Sequence, residues 1–381
     1  MEAQGASGQP VAPLIVAEAR DGRKPSWMLG FQPKLIVIGS KMKRFLALMM
    51  AAIMVLGLTA CGGKEEAASG DNGGASAAEP VVLRLSTHVN EVNASGWQVK
   101  KLAEHVKEVS GGAMEIDLYF DGQLGGQTEN CEGMIAGTID MSIMDSGTLA
   151  NYDPRIGILD MPYTFENKEQ CRTVLANGLE ETLSNWVTET CGIRPISLQC
   201  TMFRNSFVDG KVISDVNAFK GVKMRIPDNP SMKICFEALG ATPVAMPSGE
   251  AYTAIQTGVA DACEGPNDFV YEAKFYEVAG TCSLTEHVLC CTAICISEAS
   301  WKKLTAEQQG WLSEAVEKTR EEFYPMVEEL EQTRRGELEA QNVEFHEVDK
   351  EGMIAACAPA LEAFVAEHGL EDIYADILAL A

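Results

Sequence analysis

The sequence predicts an α/β fold around a parallel sheet. Three stretches, near residues 81–87, 114–120 and 139–143, alternate apolar and polar residues as strands do, and two stretches between them have apolar residues at helical spacing. This order of strand, helix, strand, helix, strand is typical of parallel strands joined by right-handed crossovers. The chain has 381 residues, which is enough for two domains of ordinary size.

The first five elements bring two candidate residues to one edge of this sheet. The strands are predicted at 81–87, 114–120 and 139–143, and the helices at 93–110 and 127–136. In open sheets of this kind, ligands bind beyond the carboxyl ends of the strands. His88 follows the first strand and Asp145 follows the third, so both are candidates to face a cleft. A helix N-cap or a turn is an equal alternative for Asp145, and a structural hydrogen bond is one for His88.

A further strand is predicted around Arg225. Apolar residues at 222, 224 and 226 alternate with Lys223 and Arg225, and Pro227 ends the strand because proline cannot donate to a ladder. Arg225 is therefore expected at the end of a strand, on the face opposite the apolar residues. A guanidinium pairs with a carboxylate through two parallel hydrogen bonds, which makes Arg225 a candidate anion clamp. A surface salt bridge is the alternative.

The C-terminal third contains a long amphipathic pattern. Thr305 and Gln308 have the spacing of a capping box, and apolar residues recur at helical intervals from Leu312 to Leu338. A helix of this length would span about 50 Å at 1.5 Å per residue. Pro325 lies inside the pattern, so the alternatives are one long kinked helix or two shorter helices broken at that proline.

Residues 42–61 have the form of a bacterial lipoprotein signal. Two basic residues, a short apolar core and the box Leu58-Thr-Ala-Cys61 follow one another; a buried helix is the alternative. Because export signals begin at the true start of a chain, translation is expected to begin at Met42. The expected segments are an upstream extension at 1–41, a signal peptide at 42–60 and a flexible tether at 61–79, with lipid attached to Cys61.

Charge and motif content argue against several classes of protein. The net charge is −25, whereas binding to nucleic acid requires a basic surface. The sequence has no G-x-S-x-G, no H-E-x-x-H, no P-loop and no G-x-G-x-x-G after a strand, and its five histidines are dispersed. We therefore expect no enzyme activity, no metal site and no cofactor.

The cysteines do not form a recognisable site. There are twelve, and the eleven other than Cys61 include no C-x-x-C pair and no zinc-finger spacing. An odd number cannot pair completely. We expect buried free thiols that behave as small apolar side chains, rather than a disulfide framework.

Five strings in register give the chain a family resemblance. They are Lys220-Gly-Val-Lys-Met-Arg-Ile-Pro227, Leu239-Gly-Ala-Thr-Pro243, Glu250-Ala-Tyr-Thr-Ala-Ile-Gln-Thr-Gly-Val-Ala-Asp261, Lys274-Phe-Tyr-Glu-Val278 and Leu284-Thr-Glu-His287. In order and spacing the chain resembles the dicarboxylate-receptor-like solute receptors of tripartite ATP-independent periplasmic (TRAP) transporters. The likeness extends from about Pro80 to the C-terminus.

The resemblance implies a fold and a function. The fold would be a two-lobed, periplasmic-binding-protein-like (Venus flytrap) structure with a long helix spanning both lobes. Lobe I would contain residues 80–201 and about 291–330, and lobe II residues 202–290 and about 331–381. The protein would be an extracytoplasmic, lipid-anchored receptor on the outer face of the cytoplasmic membrane, or in the periplasm, that binds an organic acid and delivers it to permease subunits. The alternative is a ligand-sensing co-receptor for a sensor kinase.

The resemblance also assigns roles to individual residues. Arg225 matches the arginine that grips the solute carboxylate, and Arg204 the second cleft arginine, for which a salt bridge between domains is an equal alternative. Asp145 falls where sialic-acid receptors use a glutamate, and His88 where some relatives use asparagine. Two positions depart from the family pattern: Ser248 replaces an aromatic residue, and Gly265 stands where an asparagine is usual, with Asn267 two residues further on. The identity of the acid therefore stays open.

Overall fold

A computed structural model of the protein describes residues 79–380. The upstream extension, the signal peptide, Cys61 and nearly all of the tether lie outside the described residues. Between residues 79 and 380, no helix combines the length and the apolar character needed to cross a membrane.

The predicted parallel sheet is present at the start of the described chain. Its elements are β1 (Val81–Ser86), α1 (Ala94–Val109), β2 (Met114–Tyr119), α2 (Gln127–Ala136) and β3 (Met141–Asp145). β1 pairs in parallel with both β2 and β3, and α1 packs on them through Val99, Leu102 and Val106, which are fully buried. The strand predicted at 139–143 lies two residues later, so Asp145 is the last residue of β3 rather than the residue after it.

Two long antiparallel strands, β4 and β8, connect two parts of one sheet. The chain reaches β4 through α3 (Ser146–Leu149), a 3₁₀ helix (Pro154–Asp160), α4 (Lys168–Val174), a π-helical turn (Leu175–Leu179) and α5 (Glu180–Cys191), and the two strands span Ile193–Val208 and Thr281–Ser297. β3 pairs with residues 292–296 of β8, whereas residues 205–208 of β4 pair with residues 262–265. The β4–β8 register shifts between Cys200 and Phe203. We call the part that contains β1 to β3 the first lobe and the part that contains residues 223–265 the second lobe.

The second lobe repeats the strand–helix alternation. Its elements are a 3₁₀ helix (Val216–Phe219), β5 (Lys223–Ile226), α6 (Pro230–Ala238), β6 (Thr242–Ala245), α7 (Ser248–Gln256), β7 (Ala262–Gly265), α8 (Asn267–Glu272) and a 3₁₀ helix (Phe275–Glu277). β5 lies between β6 and β7 and runs parallel to both. The order across the sheet is β2-β1-β3-β8-β4-β7-β5-β6, and the predicted α/β architecture is confirmed.

One continuous helix, α10 (Ala306–Ala340), follows α9 (Glu298–Trp301) and contacts both lobes. It begins with the predicted capping box of Thr305 and Gln308, and it packs against α1 and α8. Pro325 lies inside it without ending it, so the alternative of two separate helices is wrong. Phe323 and Val327, on either side of the proline, are fully buried, and this packing offsets the hydrogen bond that proline removes.

The C-terminal segment is shared between the two lobes. After β9 (Glu344–His346), which pairs with β8, come α11 (Lys350–His368) and α12 (Glu371–Leu378). Met353 and Cys357 of α11 pack into the core of the second lobe. Leu361 and Phe364 of α11 and Ile377 of α12 instead pack with the core that surrounds α3 to α5. The expectation that residues 331–381 lie wholly in the second lobe is therefore corrected, because α11 is long enough to cross between the two cores.

The cysteines of the described residues are free thiols, as the sequence analysis predicts. All eleven cysteines among the described residues are unpaired, and all but Cys191 are buried. Burial raises the pKa of most of these thiols, among them Cys263, whose pKa is about 12, so they remain protonated and inert at neutral pH.

Candidate ligand-binding site

A cavity of about 160 Å³ lies between the two lobes. The first lobe contributes residues at the ends of β1 and β3 and at the starts of α1 and α2, and the second lobe contributes the end of β5 and the segments that enter α7 and α8. Residues of β4 and β8 line it as well. The cavity therefore lies beyond the carboxyl ends of parallel strands from both lobes, where open sheets of this kind bind ligands.

Arg225 is buried in this cavity and has no carboxylate within ion-pair distance among the described residues. Its side chain is 2% exposed, because β5 is an inner strand and Met246 and Phe269 cover the face that the sequence analysis expects to be polar. Nη2 donates to the carbonyl oxygen of Met246 at 2.8 Å, and Nε has no hydrogen-bond partner within the described chain. The surface salt bridge considered for Arg225 is wrong. Burial lowers the pKa of Arg225, which Glu264 partly offsets.

Arg204, by contrast, is fully engaged by a carboxylate. From β4 it donates through Nε and Nη2 to the two oxygens of Glu264, at 2.6 and 2.7 Å. Burial alone would raise the pKa of Glu264, but the charge and hydrogen bonds of Arg204, together with His287, lower it to about 2. Arg204 thus lines the cavity, where a ligand contact would have to lie, and at the same time forms an internal ion pair.

His88 brings a neutral imidazole to the cavity. Its Nδ1 atom is buried and has no hydrogen-bond partner in the part of the chain that the structure describes. Burial lowers the pKa of His88; the Arg225 charge acts in the same direction and the Asp145 charge opposes it. His88 is therefore uncharged at neutral pH and can donate or accept one hydrogen bond at each ring nitrogen according to its tautomer.

Asp145, the last residue of β3, also brings a carboxylate to the cavity. It occupies the N-cap position of α3, but its side chain makes no capping hydrogen bond. Instead Oδ2 accepts from Nε2 of Gln127 at 3.2 Å, and the backbone N–H of Asp145 donates to Gln127 Oε1 at 2.7 Å. Among residues 79–380, no cation lies within ion-pair distance of Asp145. Asp145 therefore occupies the N-cap position, as one alternative predicts, but its side chain does not cap the helix.

Of the three remaining candidates, Ser248, Gly265 and Asn267, one lines the cavity and two do not. Ser248 begins α7 and lines the cavity. Gly265 lies in β7 opposite Asn205, away from the lining, and a Cβ atom placed there would lie 3.0 Å from Phe269 Cδ1. Asn267, the first residue of α8, is 7% exposed and does not line the cavity either. Their neighbours Pro266, Asp268 and Phe269 do so instead.

The sequence analysis misses several polar residues of the lining. Thr292 lies directly opposite Asp145 in the β3–β8 pairing, and its buried Oγ1 has no partner among the described residues. Gln127 and Thr148 form a small network, in which Thr148 Oγ1 donates to Gln127 Oε1 at 3.1 Å. A lone hydroxyl residue in the apolar stretch 288–296 was the one local signal for Thr292.

A network of hydrogen bonds joins the lobes beside the cavity. Asp268 of α8 accepts from Nδ2 of Asn93 and from the backbone N–H of Ala94, both at 2.9 Å, at the start of α1 in the first lobe. Arg334 of α10 holds Asp268 through Nε at 2.8 Å and also donates to Glu272. Glu272 in turn accepts from Asn90 at 3.1 Å. The wall of the cavity is thus also a contact between the lobes.

Asp160 is a buried carboxyl that contacts Ser146, the first residue of α3. It is 2% exposed, accepts a hydrogen bond from Ser146 Oγ at 2.5 Å, and lies 3.5 Å from Asn229 Nδ2 of the second lobe. Burial raises its pKa to about 7, and the charge of Asp145 acts in the same direction.

Comparison with protein families and curated proteins gives consistent matches. A family model described as bacterial extracellular solute-binding protein, family 7 (DctP), matches residues 85–368. A solute-binding protein of Roseobacter denitrificans is 30% identical over 291 residues, which are 76% of this chain and 89% of the relative. The 2,3-diketo-L-gulonate-binding periplasmic protein YiaO of Escherichia coli is 29% identical and matches 62% of this chain and 72% of that protein.

Solved structures share the fold. A TRAP periplasmic solute-binding protein of Roseobacter denitrificans, crystallised with bound L-galactonate, is similar with a TM-score of 0.74 and 29% identity, covering 79% of this chain and 99% of that one. The sugar acid binding protein DctPAm of Advenella mimigardefordensis, in complex with galactonate, has a TM-score of 0.75 at 23% identity, covering 80% and 99% of the two chains. The second likeness shows the fold alone.

Proposed function

Because the chain belongs to the bacterial extracellular solute-binding proteins, family 7, we propose that it binds a sugar acid between its lobes, with Arg225 gripping the carboxylate, and delivers it to a TRAP permease. The family consists of solute receptors of transporters and not of enzymes, and its members are extracytoplasmic. The galactonate complex of a relative supports a sugar acid as the ligand class.

The observation that carries the proposal is the isolated charge of Arg225. An ionised group that is buried without a partner is costly, and proteins normally pair it with an opposite charge. Arg225 is 2% exposed, and the described residues supply it with only one carbonyl oxygen. A solute carboxylate would provide the missing charge and accept from Nε, through hydrogen bonds worth about 1.5–3 kcal/mol each.

Polar atoms elsewhere in the cavity fit the remainder of a sugar acid. His88 Nδ1 and Thr292 Oγ1 are buried and unpartnered in the described part of the chain, and both residues line the cavity with Arg225. Hydroxyl groups of a solute can donate to or accept from each of them. A plain aliphatic acid would leave these polar atoms unsatisfied, which favours a hydroxylated one.

Binding would act by stabilising the closed arrangement of the lobes. Arg225 belongs to the second lobe, and His88 and Asp145 belong to the first, so a solute that contacts both ends of the cavity bridges the lobes. A ligand shifts such an equilibrium only through its preference for one state. No chemistry occurs on the solute.

The test is ligand-dependent melting of the purified protein with a panel of sugar acids, keto acids, aromatic acids and dicarboxylates. We expect at least one sugar acid to raise the melting temperature by mass action. Arg225→Ala should weaken binding by about 2–5 kcal/mol, and Arg335→Ala, which removes a half-buried arginine of α10 outside the cavity lining, should not weaken it. Binding that survives Arg225→Ala would contradict the clamp, and a panel without any binder would contradict the function.

The proposal also includes a lipid anchor on Cys61 and permease subunits as partners. The lipoprotein box at Cys61 supports a lipid anchor on the outer face of the membrane, and a membrane fraction should carry a diacylated Cys61 peptide that Cys61→Ser abolishes. Neighbouring genes for two permease subunits would support delivery to a transporter. A neighbouring sensor kinase without permease genes would favour the co-receptor alternative.

A further inference from the structure

We propose that the cavity selects a solute with one carboxylate and an uncharged, hydroxylated remainder, and that Asp145 causes it to reject the dicarboxylate of the same length. This inference rests on the proposed function and deepens it, because it concerns which acids the same site accepts. It follows from the charges that face the cavity and from how each is already compensated.

The cavity offers one uncompensated positive charge. Of the arginines that line it, Arg204 is neutralised by the bidentate contact with Glu264, which leaves Arg225. His88 lines the cavity as well, but burial lowers its pKa, so it is neutral at neutral pH. The site can therefore balance one carboxylate.

Negative charge dominates the rest of the lining. Asp145 bonds the amide of Gln127 and has no cation within ion-pair distance in the described chain. Glu129 and Asp228 also line the cavity, are exposed, and likewise lack a cation partner among residues 79–380. Asp268 is compensated by Arg334. Arg204 and Arg225 act on Asp145 only from beyond ion-pair distance, and they are paired with Glu264 and with the first solute carboxylate. A second solute carboxylate beside Asp145 would therefore find no free cation among the described residues, an arrangement that strongly disfavours binding.

Asp145 and Thr292 are suited to bind hydroxyl groups of a solute. An ionised carboxylate can only accept hydrogen bonds, so Asp145 needs donors, which the hydroxyls of a sugar acid supply. Thr292, directly opposite Asp145 in the β3–β8 pairing, has a buried Oγ1 without a partner in the described structure. A hydroxyl between these two residues would donate to one and accept from the other. A carboxylate in its place could not donate to Asp145.

The experiment compares a monoacid and its diacid by calorimetry on the purified protein. The probes are galactonate and galactarate, or the corresponding pair for whichever monoacid of the panel binds most tightly. We expect the monoacid to bind at least about 100-fold more tightly than the diacid, given the cost of juxtaposed like charges. Asp145→Asn keeps the shape of the side chain and removes its charge. This variant should lower the ratio of monoacid affinity to diacid affinity at least about tenfold, mainly by strengthening binding of the diacid.

Two further variants keep the result interpretable. Asp145→Glu retains the charge and should retain the preference for the monoacid, and Asp117→Asn, an exposed position on β2, should leave both affinities unchanged. Equal binding of the two acids by the unaltered protein, or an unchanged ratio in Asp145→Asn that still binds the monoacid, would overturn the inference while leaving the proposed function intact. If neither the monoacids nor the diacids of the panel bind, the proposed function fails with it.

Discussion

Arg204 and Arg225 line one cavity, yet within the described chain only Arg204 has a carboxylate partner. Arg204 and Glu264 compensate each other, and the pair is neutral and almost completely buried. Breaking such a pair would leave a buried charge, which typically costs about 3–5 kcal/mol, so the pair is expected to be a permanent part of the structure. Arg225 has no such partner among the described residues, and its charge is available to a ligand.

The titration of Asp160 gives a prediction about pH. Its pKa is raised to about 7 by burial, against about 3.9 in an unfolded chain. Between these values the folded protein holds a proton that the unfolded chain has released. The stability that this proton contributes is complete below about pH 4 and is lost as the pH rises through 7.

Asp160→Asn should remove this pH dependence, because an amide does not titrate. We expect the free energy of unfolding of the variant, relative to that of the unaltered protein, to rise by up to about 4 kcal/mol between pH 4 and pH 8. Urea denaturation at several pH values measures it, with the exposed Asp117→Asn as the control. A difference that stays constant across this range would show that Asp160 is ionised in the folded protein.

Among the elements, the long helix α10 packs against both lobes and so connects them. Its N-terminal half packs against α1 of the first lobe through Leu312, Ala315 and Val316, and Leu338 near its C-terminus lies in a core of the second lobe. A single helix that packs on both lobes limits the directions in which they can separate. Pro325 lies near its middle and is exposed, so its side chain contributes little packing in return for the hydrogen bond it removes.

Pro325→Ala should therefore stabilise the protein. An interior proline costs a helix about 3 kcal/mol, and its rigidity in the unfolded chain returns about 0.4–1 kcal/mol, so we expect a net gain of about 2–2.5 kcal/mol in the free energy of unfolding. Gly336→Ala in the same helix, where an added Cβ meets no atom within 4 Å, is the reference for ordinary helix propensity, at about 0.5–1 kcal/mol. A loss of stability in Pro325→Ala would mean that packing of the lobes requires the proline.

For the whole molecule, contacts between the lobes lie in the lining of the cavity. Asn93, Ala94 and Asp268 line the cavity and also bridge the lobes. Under the proposed function, closure of the lobes and ligand binding therefore depend on the same groups, and a change in one of these bridges should alter the affinity without touching Arg225.

Asn93→Asp tests this coupling. Aspartate is as good an N-cap as asparagine, so α1 should keep its start, but its carboxylate would face that of Asp268 at the position where Nδ2 now donates at 2.9 Å. We expect the affinity for the sugar acid to fall about tenfold or more, because repulsion between the lobes opposes closure. Small-angle scattering without ligand should show a larger radius of gyration. Asn217→Asp, at an exposed position, serves as the control. Unchanged affinity in Asn93→Asp would show that ligand binding does not depend on this contact between the lobes.

The amino-acid sequence alone determined the local features of this protein. Periodicity identified the strands and helices of the first lobe to within two residues, the capping box located the start of α10, and the string around Arg225 identified the clamp candidate. These features depend on side chains a few residues apart, whose spacing along a strand or helix is set by backbone geometry.

Only the tertiary structure decided which polar groups are paired. Arg204 meets Glu264, 60 residues away, because β4 pairs with β7; Thr292 faces Asp145 because β8 pairs with β3; and the orientation of α8 brings Asp268, and not Asn267, to the cavity. The register between distant strands and the rotation of a short helix follow from packing of the whole core, so no local pattern encodes them. The charge that a ligand meets is what remains after those distant pairs have formed.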